Sequence, residues 1–355
     1  MYKGLYDHIW TTTVCLWSGT LLIPSICALF YESTTQTFAS YTNINMIVGA
    51  TWMVVYSYMR YNIIKPIIFG FVLVFAVAGA ASFAFHHSNA NISSPLHTLD
   101  LYGALSTVFY ITWLTVYVVV RKMFRKELPE SVSLFTVLMI LTLLTVQYDV
   151  WYNDRYKISM VNISIASILA SCYKIIHVNK ISTSKKNVIG TVFEIFVCTS
   201  AFLLAVYNQN SAGVYNPKHS EYFRYDYMHG EWHIFVALTT TIYGLNLITT
   251  LQSEPFPILL REIATQIIIF LILVLSLSMN VFKASRDVYR TAWVLISILT
   301  FATTISFLYT INFIPVQSVS TTKNDCDEIK VCGHRRTYSE PIMYNFKLSI
   351  KSLRD

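Results

Sequence analysis

The sequence predicts an all-α polytopic membrane protein of about ten helices, and three observations carry that prediction. Hydrophobic residues make up 54% of the 355-residue chain and charged residues only 13%, whereas soluble domains are about one quarter charged. Apolar runs of about twenty residues, enough to cross a bilayer, recur from end to end. The segments between them are short. Residues 1–315 therefore read as a single transmembrane domain, and the polar residues 316–355 as a cytosolic tail without a fixed structure.

In chain order, the expected spans are 10–30, 44–60, 63–86, 97–121, 132–150, 156–177, 189–208, 228–249, 259–282 and 290–314. Long continuous runs satisfy their backbone groups internally as helices, whereas barrel strands alternate in short segments. The first run could be read as a signal peptide, with Lys3 ahead of it and "SICA" resembling a cleavage site. Its length exceeds a usual signal core, and "ALFYES" offers no strong cleavage site, so an anchor helix is preferred.

Positive charge sets the orientation. With the N-terminus inside, the cytosolic loops carry Arg60, Lys65, "RKMFRKE" and "KISTSKK", while the loops at 31–43 and 87–96 carry no Lys or Arg. The acceptor pattern Asn91-Ile92-Ser93 then falls outside. The segment "VFKASRDVYR" runs against this rule, which suggests a tilted, re-entrant or misread final pair. A net charge of +7 lies mostly in cytosolic loops and tail, so it reports orientation and anionic lipid contact, not nucleic-acid binding.

The six cysteines form no disulfide framework. Cys15, Cys27, Cys172 and Cys198 lie in spans as packing residues, and Cys326, Cys332 and His334 in the tail lack a fourth ligand for a metal site. Glu194 lies near the cytosolic end of its span, where water or Lys186 is expected to solvate it. Asp149, Asp154, Arg155 and Lys157 are expected to pair with one another.

Five polar residues remain: Ser82, His86, Asp100, His229 and His233. The alternation of spans brings the end of 63–86 and the starts of 97–121 and 228–249 to one outer or lumenal leaflet. Polar groups inside spans are expensive and usually serve a pairing or a function. His229 and His233 stand one helical turn apart, a spacing at which two imidazoles can hold one metal. His86 as a third ligand leaves the fourth position of a tetrahedral zinc open for water. Asp100 would orient a ligand histidine or act as general base. Ser82, one turn before His86, would bond a ligand, polarise a carbonyl or simply bond its own helix backbone. In the other reading, the histidines only mark the headgroup boundary, as Trp232 and nearby tyrosines do.

Together, "SFAFHH", "DLYG" and "HGEWHIF" resemble the signature of a superfamily. It joins alkaline ceramidases, progestin and adiponectin receptors, Per1-like glycolipid remodelling proteins, the systemic RNA-interference channels and the myomaker family. Its pattern is Ser-x-x-x-His closing one helix, Asp opening the next and His-x-x-x-His opening the last core helix. Those positions are Ser82 with His86, Asp100, and His229 with His233. "DYMHGEWHIFVA", "DLYGALSTVFYITW" and "QYDVWYNDRY" are most similar to the myomaker branch, which includes a lipase acting on GPI anchors. The resemblance implies a seven-helix core over residues 44–249, with one extra helix before it and two after it. Where that branch commonly has Ala-Cys-Asp after its first histidine, this chain reads "HHSNA", leaving Asp100 as the acid. His86 keeps the one-turn spacing to Ser82, whereas His87 would point about 100° away.

The resemblance implies a zinc-dependent hydrolase of membrane lipid amides or esters. The alternative is a non-catalytic, myomaker-like fusion or lipid-organising protein in which zinc is structural, because fold does not fix function. The tail segment "HRRTYSEP" resembles a basophilic-kinase site, so phosphorylated Ser339 is a candidate 14-3-3 docking point.

Overall fold

A computed structural model describes residues 9–30, 37–88, 94–124, 185–212, 222–251 and 260–313. Their regular structure is entirely helical: α1 Ile9–Phe30, α2 Thr37–Thr42, α3 Ile44–Tyr61, α4 Pro66–His87, α5 Pro95–Phe124, α6 Lys185–Ser211, α7 Tyr222–Leu251, α8 Leu260–Val281 and α9 Arg286–Phe313. All except α2 occupy the positions of expected spans. The expected spans 132–150 and 156–177, together with Asn91, Cys172 and the whole tail including Ser339, lie outside the described residues.

Seven of these helices, α1 and α4 to α9, are long and apolar enough to cross a membrane. The chain is thus an all-α, multi-pass membrane protein. The 18-residue helix α3 stands where a span was expected, but Asn45, Arg60 and three tyrosines make it less apolar than the others.

Local chemistry explains where several helices start and stop. Pro66 occupies the first turn of α4, where its missing N–H costs nothing. Asn62 closes α3 in the left-handed conformation, φ 52°, with its N–H donated to Tyr58 O, a role asparagine tolerates better than most residues. Between α8 and α9, Lys283 takes φ 51° and the Ala284 N–H reaches back to Met279 O at 2.9 Å. That short turn joins two helices each long and apolar enough to cross a membrane, so the final pair is not misread.

Within the expected outer loop 31–43, the described residues 37–42 form the short helix α2 instead of irregular loop. Its residues Thr37, Phe38, Ala39, Ser40 and Thr42 are all buried, and α2 packs against α1, α4 and α7. Glu194 is the second correction: it is 2% exposed rather than solvated. It lies more than two turns inside α6, facing α7, where Asn246 Nδ2 donates to its Oε1 at 2.9 Å.

The packing is organised around α7, which contacts α1, α2, α3, α5, α6 and α9. One apolar core joins α3, α4, α5 and α7 through Met53, Tyr56, Phe71, Phe75, Tyr110 and Leu245. A second joins α1, α2, α6, α7, α8 and α9 through Trp17, Leu21, Phe38, Tyr227, Ile234 and Trp293. Helices without a hydrophobic driving force between them in lipid rely on close approach at small residues. Gly103 supplies one: a Cβ there would lie 2.8 Å from Ala78 Cα, so α5 and α4 touch nearly backbone to backbone.

A buried polar network ties the last two helices to α7. Glu231 Oε2 accepts from Asn208 Nδ2 at 2.8 Å, Ser276 Oγ at 2.8 Å and Asn280 Nδ2 at 2.7 Å. Its Oε1 accepts from Trp293 Nε1 at 3.0 Å, and the Tyr289 hydroxyl closes the network on Asn280 Oδ1. Four helices thus meet at one carboxylate.

Gly103→Leu is expected to force α4 and α5 apart at the contact with Ala78. Overpacking of this kind costs about 1–3 kcal/mol, and thermal unfolding of the detergent-solubilised chain checks it against the wild type.

Candidate metal centre

The C-terminal end of α4 and the N-terminal parts of α5 and α7 come together, and the sequence-predicted residues meet there. His86, His229 and His233 are 1%, 8% and 3% exposed. One ring nitrogen from each lies within 4.8 Å of the others, close enough to hold a metal ion. His229 Nε2 is 3.0 Å from His86 Nε2, and the His229 and His233 ring centroids are 4.6 Å apart. The helical period supplies the pair on α7, while the last turn of α4 supplies the third imidazole.

The donor set suits a cation. His233 Nδ1 lies 2.9 Å from Ala39 O, an acceptor only, so Nδ1 carries the proton and the Nε2 lone pair faces the cluster. Ser82 Oγ stands 3.4 Å from that Nε2. The two facing Nε2 atoms of His86 and His229 cannot both be donors to each other, whereas two lone pairs are satisfied together by one positive ion. Three neutral imidazoles are the ligand type that zinc and related transition metals take.

Asp100 is partly exposed, and its Oδ2 lies 4.0 Å from His86 Nε2. It stands beside the cluster but outside the trio of histidines that could hold a metal ion. His87 is exposed and turned away: its ring stacks on Phe83, centroids 5.2 Å apart with 10° between planes, and meets Tyr41 edge-on. The choice of His86 over its neighbour therefore agrees with the packing.

Several residues at the site escape the sequence reading. Tyr225 stacks on His229 with centroids 5.2 Å apart and 10° between planes. Phe85 packs against both His86 and His97, each ring centroid 4.9 Å away. The most consequential is α2, which presents Ala39 O and Thr42 Oγ1, the latter 3.3 Å from His233 Nδ1. A segment of six small and aromatic residues has no hydropathy signal that separates a buried short helix from a loop. Only the missing partner of His233 would have pointed to it.

Comparison of the chain with models of known protein families, with characterised proteins and with solved structures finds no match. The class of protein is accordingly set by the fold and the cluster themselves: a multi-pass helical membrane protein with a buried three-histidine site able to hold a metal ion.

Alanine at His86, His229 or His233 is expected to reduce the metal content of the purified chain from about one equivalent to a small fraction, since three imidazoles are the minimum set of a zinc site with one open position. His87→Ala is expected to leave it unchanged. Elemental analysis of the detergent-solubilised variants reads both results.

Proposed function

We propose that the chain is a membrane-embedded zinc hydrolase of a lipid amide or ester, with its site near the outer or lumenal leaflet. We further propose that it belongs to the superfamily of alkaline ceramidases, progestin and adiponectin receptors and Per1-like proteins, nearest the myomaker and GPI-anchor lipase branch. The observation that carries the reading is the convergence of three buried imidazoles with one carboxylate and one serine at the same end of three helices.

In this reading His86, His229 and His233 hold zinc through ring nitrogens. Bound zinc supplies a Lewis acid for a carbonyl and lowers the pKa of its water from about 15.7 to about 7. Asp100, the partly exposed member, accepts the proton released as water attacks the substrate carbonyl and returns it to the leaving amine or alcohol. Ser82, buried at 4% exposure, directs its hydroxyl into the cluster, where it steadies His233 or donates to the developing oxyanion. Burial strengthens each of these interactions, because charges in a low-dielectric, water-poor site are weakly screened.

Asp100→Asn separates catalysis from binding. The variant is expected to fold and retain its metal while losing at least about a hundredfold in turnover, the low end of what a positioned general base contributes. The assay compares lipid amide and ester pools in cells that carry the wild type, the variant or no protein, with metal analysis of each purified chain. Unchanged lipid pools in the presence of a metal-loaded wild type would instead support a non-catalytic, lipid-organising role with structural zinc.

A further inference from the structure

We infer that Asp226 is a positioning residue for this metal centre, acting on His233 through the short helix α2. The inference rests on the metal reading of the three histidines and extends it to a part of the chain outside the five-residue pattern.

The geometry forms a relay across two helices. Asp226 is 3% exposed and lies on α7 one turn before His229. Its Oδ2 accepts the Phe38 N–H at 3.1 Å, and its Oδ1 accepts the Ala39 N–H at 2.9 Å. Those amides open α2, where a helix has N–H groups with no partner inside itself. Both carboxylate oxygens are thus committed to α2 as hydrogen-bond acceptors. Arg286 of α9 lies within electrostatic reach of the same carboxylate.

The output of α2 is the Ala39 carbonyl. It accepts from His233 Nδ1 at 2.9 Å, from Thr42 Oγ1 at 2.8 Å and from Asn43 Nδ2 at 3.1 Å, so its direction is fixed by two groups of its own segment as well as by the histidine. Ala39 therefore carries both ends of the relay: its N–H binds Asp226 and its C=O binds His233. A shift of α2 moves both together.

A third observation shows that α7 is built to receive α2. A Cβ at Gly230 would lie 2.4 Å from Phe38 Cδ1 and 3.3 Å from Ala39 Cα. Glycine at this position removes the one side chain that would hold α2 away. Phe38 then packs on Tyr227 with ring centroids 4.6 Å apart. Asp226, Tyr227 and Gly230 all face the helix that orients His233.

An acceptor for the other ring N–H fixes the tautomer of a ligating histidine, and loss of such support typically costs 10- to 100-fold in metal affinity. The test uses the full chain in detergent, stripped of metal and titrated with zinc against a chelating dye, then loaded with cobalt for its visible spectrum. Asp226→Asn keeps one acceptor, and Asp226→Ala removes both. Glu231→Gln, a change to the buried acid on the opposite side of α7, is the comparator. Zinc affinity per folded molecule is expected to fall about 10-fold in Asp226→Asn and up to about 100-fold in Asp226→Ala, with displaced cobalt bands. Glu231→Gln is expected to lower the unfolding temperature and leave both metal readouts at wild-type values. Wild-type zinc affinity and cobalt bands in Asp226→Asn overturn the role, as does an equal loss in Glu231→Gln. A wild-type chain that binds neither metal overturns the metal reading itself, and this role with it.

Discussion

His229, Glu231 and His233 alternate along one turn of α7, so the imidazoles and the carboxylate point to roughly opposite sides of the same helix. In a membrane interior no water stands ready to satisfy them, and an unpartnered polar group there costs several kcal/mol. Each side of α7 must therefore supply its own partners. On one side these are His86, Ser82 and α2. On the other they are Asn208, Ser276, Asn280 and Trp293. The rotation of α7 is fixed from both sides, because turning it to improve one set of bonds breaks the other.

That constraint gives the helices outside the seven-helix pattern a physical role. α8 and α9 provide three of the four donors to Glu231, and α1 packs along α9, where Ser25 and Ser297 hydroxyls lie 3.1 Å apart. α1 also contacts α2, the element that holds His233. These helices therefore form an outer support around the histidine helix. The support is polar at its centre, which favours one register, since sliding a helix by a turn would strand several buried hydrogen-bonding groups.

Much of this was legible in the sequence because membrane spans announce themselves by length and composition. The runs at 63–86 and 228–249 needed no tertiary information: α7 covers the second with residues to spare, and α4, Pro66–His87, matches the first to within three residues at either end. The meeting of Ser82, His86, Asp100, His229 and His233 was also legible, since the parity of the spans places their polar ends together. What resisted reading was anything decided by contact rather than by hydropathy. α2 has six residues and no run to detect. Asp226 sits in "RYDYMH", where an interfacial position explains its charge as readily as a bond to two amides does. Glu194 was assigned to solvent by its nearness to a span end, but Asn246 across the α6–α7 interface gave it a buried partner instead.

The coordination count bears on whether the site does chemistry. A structural zinc is normally closed by four protein ligands, while a catalytic one keeps a position open. Among the described residues three imidazoles converge, and no cysteine or further histidine joins the trio. The groups next to it are the Ser82 hydroxyl, 3.4 Å from His233 Nε2, and the Asp100 carboxylate, 4.0 Å from His86 Nε2. The hydroxyl can donate a hydrogen bond, and the carboxylate can accept a proton or itself serve as a further oxygen ligand. Asp100 is also the one of the five with appreciable exposure, while Ser82 and the three imidazoles are buried; in the proposed hydrolysis that exposure would put the proton acceptor where water can arrive.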